Sequence, residues 1–405
     1  YKETLMKINV KRSLFVAGIM ASLPITALAD SETEELKQTI ADLQQQVTDI
    51  SNRQTELSTS SDSSVDLSGY AVVNYSDTES KGSAFDNVAV APILHYNYKD
   101  LVMLETEFEL VNTADGETEV VLEYMTIDLF LNDYMTLVAG KFISPIGQFR
   151  QNVHPSWINK LPTAPVGFGH GGAAPLSETG FQLRGGFPVG EMRGNYAVYV
   201  SNGPVLHSEV DGGELAVEDI VAEGATSDTD GNKVFGGRIG FLPISSLEVG
   251  LSLASGKAQV VEIGGASAEL KSSSNFDYDV FGTDFRYGWD NLELRGEYIQ
   301  TEIGKLDGTV ILEDTTSFTE AEVGKWKTWY LQAAYKIPKT AFETVIRTGD
   351  LETPHMSQNL SQTTLGVNYL FSSSVIAKLA YEMKNYDEPG KDNEDTILAQ
   401  LAYGF

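Results

Sequence analysis

From Val65 to Phe405 the chain alternates. In LETEFEL, Leu104, Thr106, Phe108 and Leu110 share one parity, and Glu105, Glu107 and Glu109 the other. In LELRGEYI, Leu292, Leu294 and Tyr298 oppose Glu293, Arg295 and Glu297. A repeat of two is the signature of an extended strand whose faces meet different surroundings. Sixteen such segments of roughly ten residues suit tilted crossings of a bilayer. They centre on Tyr70, Ala91, Thr106, Thr126, Val138, Leu183, Ala197, Arg238, Leu251, Asp284, Arg295, Leu331, Thr344, Gly366, Leu379 and Gln400. Strand 4, VVLEYMTIDLF, is the poor case, because Glu123 and Asp128 have opposite parity.

The connections sort by parity too. Those after even-numbered strands are short: YKD at 98–100, ND at 132–133, PVGE at 188–191, ISS at 244–246, WDN at 289–291, PK at 338–339 and SSS at 372–374. Those after strands 5, 7, 9 and 11 are long. Short turns at one end and long loops at the other describe an outer-membrane barrel. The fold expected is therefore all-β: a 16-stranded antiparallel transmembrane β-barrel over 65–405, with an N-terminal periplasmic coiled-coil helix. ILAQLAYGF closes the last strand. Beside strands 1 and 15 it leaves no free edge, which a soluble sheet would expose to aggregation. Tyr403 and Phe405 then belong to an aromatic girdle at the periplasmic interface.

Ahead of the barrel the pattern changes. Met6 opens a basic stretch (Lys7, Lys11, Arg12), an apolar run from Leu14 to Ile25, and Ala27-Leu28-Ala29. This reads as a signal peptide over 1–29, with residues 1–5 an upstream extension. Within 30–57, Leu36, Ile40, Leu43, Val47, Ile50, Gln54 and Leu57 recur at alternating steps of four and three, a heptad seam that leaves two or three strands open. Ser58 to Ser64 reads as a Ser-rich linker.

Composition excludes several functions. The chain has no Cys, so it has neither disulfides nor thiolate metal ligands, and its net charge of −29 excludes nucleic acid as a partner. GFGHGG (167–172) fits a dinucleotide pattern but lacks the flanking strand and helix. No G-x-S-x-G is present, and DTDGN (228–232) is at most a loose cation site. No catalytic residue, cofactor or metal site is expected, and the protein is not expected to be an enzyme.

A signal peptide, a short coiled coil, sixteen strands and a terminal Phe together resemble the trimeric bacterial porins. VAGKFISPIGQF (138–149) resembles the strand-to-loop passage of the phosphate-selective porin O and P family. The resemblance implies a homotrimer and an anion channel with a basic constriction. The terminal aromatic implies recognition by the outer-membrane assembly machinery.

The loop after strand 5 carries the functional expectation. Between Asp133 and Glu178 there is no Asp or Glu, while Lys141, Arg150, His154, Lys160 and His170 are present. Either the loop packs in a place of low polarity, or it folds into the pore as a cationic constriction. By parity the inward charges nearly cancel. Lys141, Arg184, Arg193, Arg238, Arg286, Arg295, Arg347 and Lys378 stand against Glu105, Glu107, Glu109, Glu248, Asp284, Glu293, Glu297, Glu343 and Glu382. The basic lining is expected from Lys141, Arg150, Lys160, Arg184, Arg193 and Arg238, facing an acidic wall of Glu105, Glu107 and Glu109. The outer loops are acidic; they either bind divalent cations among lipopolysaccharide or are simply solvated. The function expected is passive diffusion of small hydrophilic solutes and ions with weak anion preference. A channel specific for phosphate, oligosaccharide or a metal chelate, and a plugged barrel acting as adhesin or receptor, remain alternatives.

Overall fold

The computed structural model describes residues 62–405, apart from 229, 230, 267, 268 and 273, together with Gln45. The expected signal peptide, coiled coil and most of the linker lie outside the described residues. Ser63 and Ser64, placed in that linker by composition, already pair with Tyr98 and Asn97 and so open the first strand.

The first seven strands are β1 (Ser63–Thr78), β2 (Gly82–Tyr98), β3 (Val102–Asn112), β4 (Thr118–Asn132), β5 (Met135–Ile143), β6 (Ser177–Val189) and β7 (Met192–Ser201). A hairpin of β8 (Val205–Asp211) and β9 (Glu214–Val221) follows, then β10 (Val234–Ile244) and β11 (Leu247–Gly264). Next come β12 (Leu270–Ser272), β13 (Asn275–Trp289), β14 (Leu292–Asp307), β15 (Val310–Leu312) and β16 (Ser317–Phe318). The chain finishes with β17 (Lys325–Lys336), β18 (Phe342–Glu352), β19 (Leu360–Leu370), β20 (Val375–Tyr386) and β21 (Glu394–Gly404). One helical turn, α1 (Phe149–Asn152), lies between β5 and β6.

Sixteen of these strands pair antiparallel in one ring, in the order β1 to β7, β10, β11, β13, β14 and β17 to β21. β21 pairs with β20 on one side and β1 on the other, from Tyr70↔Gly404 to Thr78↔Thr396, so the barrel closes without an edge. All sixteen expected strand centres fall on ring strands. The β8–β9 hairpin and the small sheet β12–β15–β16 arise from the long loops. β8 extends the wall, running parallel to β11 beyond the ring.

The faces follow the alternation. On β20, Leu379 and Tyr381 are exposed outward while Lys378, Ala380 and Glu382 are buried inward. At the short-turn end Phe342, Tyr369 and Phe371 form a contiguous outward row, with centroid spacings of 5.1 and 4.8 Å. Tyr403 and Phe405 are outward at the same end, 5.8 Å apart. The anomaly of strand 4 is a bulge. The register with β3 slips between Glu107↔Tyr124 and Phe108↔Leu122, leaving Glu123 as the extra residue. A bulge inserts one residue and resets parity, so Glu123 and Asp128 both reach the interior.

A sixteen-stranded ring is too wide for its own side chains to fill. Residues 144–176, the segment free of acids, fold into the bore as an arm. Ile146, Phe149, Val153 and Phe168 of the arm join Ile299, Trp326 and Tyr330 of the wall in one buried apolar cluster.

Candidate functional site

The arm leaves β5 through Gly147, whose φ of +76° suits glycine and whose Cα faces the Glu297 carboxylate. The amides of Gly147 and Gln148 donate to Ser252 Oγ (3.1 Å) and Glu297 Oε2 (2.9 Å) on the wall. Phe149 then packs edge-on to Phe168 and Tyr330. Burying each such ring contributes about 1.5–3 kcal/mol. Residues 156–164 cross to β17–β21, where Leu161 is fully buried among Ala334, Val345, Ala380 and Leu398. The acid-free stretch has two sides: Ile146, Phe149 and Phe168 pack on the wall, and Gln148, Gln151, Asn152, Val153, Ile158 and Lys160 line a cavity.

That cavity has a volume of about 880 Å³ and lies between the arm and β5–β14. Arg184, Arg238, Arg286, Arg295 and Lys160 line it, against only Glu248 and Glu293. Every cation has a carboxylate partner. Arg184 donates to Asp128 (2.6 Å), Arg238 to Asp284 (2.6 Å) and Glu248 (3.1 Å), Arg286 and Arg295 to Glu293 (3.0 and 2.9 Å), and Lys160 to Glu343 (2.5 Å). The partners differ in depth. The Asp128 and Asp284 side chains are 0% exposed, whereas Arg184 is 42% and Arg286 53% exposed. At Arg184 and Arg286 the guanidinium tip stands in the bore with its carboxylate deeper, whereas Arg238 (5%) and Arg295 (10%) lie deeper than Glu248 (22%) and Glu293 (17%).

Lys160, Arg184 and Arg238 are therefore brought together. The other three expected cations lie elsewhere. Arg150 reaches Glu123 of β4 (3.4 Å) and does not line the cavity, and Arg193 is exposed beside the short turn after β6. Lys141 corrects the parity reading. It registers with Met125 and Thr179 on the face opposite Val138 and Phe142, and Gly224 lies over it. The inner face of β5 is apolar because the arm's core covers it, so VAGKF shows no charged face to mark the inside. Glu105, Glu107 and Glu109 share one parity of β3. Tyr124 donates to Glu105 and Tyr70 to Glu107 (2.9 Å each), and Glu109 registers with Val121. His154 of the arm abuts β3, with Nε2 4.0 Å from Glu107, and its pKa falls from 6.5 to about 3 through burial and the charge of Arg150. At the loop rim, hydrogen bonding to Glu223 raises the pKa of His170 and lowers that of Glu223.

The closed ring with an arm folded into its bore decides the comparison with known structures. The fold is that of the outer-membrane porins. An anion-selective porin from Comamonas acidovorans matches with a TM-score of 0.56 at 11% identity, covering 85% of this chain and all of that one. OmpF of Salmonella typhi, solved with daunomycin, matches at 0.54 and 14%, covering 84% and 97%. The outer membrane channel DcaP of Acinetobacter baumannii matches at 0.53 and 9%, covering 85% and 97%. No protein-family model and no curated sequence matches the chain.

Within this porin fold two groups of residues take parts that parity alone did not assign. Arg286 and Arg295, read as inward charges but not as part of the basic lining, line the cavity with Arg184 and Arg238. Lys378 and Arg347 read as bore charges but are buried beneath the arm. GFGHGG is a packing turn, in which Gly167, at φ +75°, lies against Thr328 of β17.

Proposed function

We propose that the protein is a porin. It gives small hydrophilic solutes and ions a water-filled route across the outer membrane by passive diffusion, with a weak preference for anions. Two exposed guanidinium tips carry this reading: Arg184 and Arg286 stand in the bore with Asp128 and Glu293 set deeper. Charges at such a lining act within a Debye length of about 8 Å, so the chain's overall negative charge does not decide selectivity. Strong phosphate selectivity, the finer implication of the 138–149 resemblance, is not favoured, because each cation already has a carboxylate within 3.1 Å. The transport step needs no bond chemistry, so the protein is read as a non-enzyme. A homotrimer, lipopolysaccharide around the rim and the assembly machinery acting on Tyr403 and Phe405 complete the proposal.

Planar-bilayer recording tests it. Wild type should give discrete steps and a reversal potential of anionic sign across a KCl gradient. The double variant Arg184→Ala with Arg286→Ala should move that potential towards cations. Cation preference in wild type, or an unmoved potential in the double variant, refutes the filter. Absence of steps points instead to a plugged barrel working through its loops.

A further inference from the structure

Residues 156–166 of the arm lie on the wall as a docked peptide, and the wall reads their backbone. Lys378 Nζ donates to the carbonyls of Ser156 and Asn159 and to Gln400 Oε1 (2.7 Å). These three bonds use all of its donors. Asn368 donates to Lys160 O (2.9 Å), and Gln400 to Pro162 O (3.3 Å). Arg347 donates to Thr163 O and Ala164 O (2.9 and 3.0 Å), and Thr328 to Val166 O (2.6 Å). Seven carbonyls of one short segment thus accept from five wall side chains, all buried. One arm side chain keys the register. Leu161 enters a socket whose floor is Gly366, where a Cβ would stand 2.5 Å from Leu161 Cδ2.

We infer that Lys378 and Arg347 are positioning residues of the pore: their buried cations hold the arm across the bore, and without them the arm leaves the wall and the passage widens. The widening rests on the porin reading; the holding does not. Two features favour this over a general part in barrel stability. Both cations spend donors on arm carbonyls, none of which belongs to a ring strand. The ladder hydrogen bonds of β18 and β20 are complete without them.

The absence of Cys makes the test direct. Leu161→Cys is placed in the full-length protein, alone and with Lys378→Met, and its maleimide labelling is timed on barrels shown to be folded by unheated gel mobility. Where Lys378→Met yields no folded barrel, Lys378→Gln replaces it. Labelling should accelerate by about tenfold or more in the Lys378 variant, as expected for local opening of a buried segment. Single-channel conductance should rise about twofold as the arm leaves the bore. An oxidised Leu161→Cys–Gly366→Cys pair should restore the wild-type steps, a rescue that a merely stabilising role of Lys378 does not explain. Unchanged labelling overturns the inference. So does faster labelling with unchanged conductance steps. If wild type and variant both fail to conduct, the porin reading falls, and labelling still decides whether Lys378 holds the arm.

Discussion

Arg238 donates from Nε and from a terminal nitrogen to the two oxygens of Asp284, at 2.8 and 2.6 Å, with Asn195 and Glu248 completing its fork. A guanidinium suits such planar, two-point pairing, and a lysine does not. Parity alone placed Arg238 on the inner face. It could not show that Asp284, two strands away in the ring, stands fully buried behind it. Removing one member of a buried pair leaves the other charge stranded, which costs about 3–5 kcal/mol, whereas replacing both by apolar groups costs far less. Arg238→Ala should therefore lower the unfolding free energy of the barrel, read from urea titration, by an amount in that range, and Arg238→Met with Asp284→Leu should recover most of the loss. Equal losses in the two variants would show that the pair does not carry the effect.

At the scale of elements, the ring was legible because lipid and water impose opposite chemistry on alternate residues. That demand holds for β1 as for β21. It weakens where a second layer covers the inside, as on β5, and where a bulge resets the count, as at Glu123. The arm was legible as an acid-free stretch, but its berth was not, because none of its anchoring residues is near it in sequence. His154 makes the arm's docking depend on pH. It is neutral in the docked arm, with a pKa of about 3 against an ordinary 6.5. Between those values the undocked arm binds more protons, so docking weakens as pH falls below 6.5 and is unaffected above it. Protease cleavage within 150–165 should accelerate on acidification from pH 7 to pH 5. His154→Gln, which does not titrate, should flatten that profile; an equally steep profile in the variant would assign the effect to other groups.

For the whole molecule, assembly has two layers in the present reading: contact between barrels, and the heptads of 36–57. Linked contacts raise one another's effective concentration. Because β1 begins at Ser63, residues 31–62 can be removed without touching the ring. The truncated protein should fold into the barrel and keep its trimer on unheated gels, but lose it at a lower temperature than the full chain. An unchanged melting temperature would give the heptads another task. The arm's berth also sets an order of events. Its anchors on β18–β21 lie 183 to 238 residues further along the chain than the carbonyls and side chains they hold. The entropy of closing so long a loop is repaid only once those strands are in place. A polypeptide truncated before β18 keeps the arm's contacts to β11, β14 and β17 but lacks the partners of residues 156–164. The crossing of residues 156–164 thus waits for the last strands, because the partners that fix it stand there.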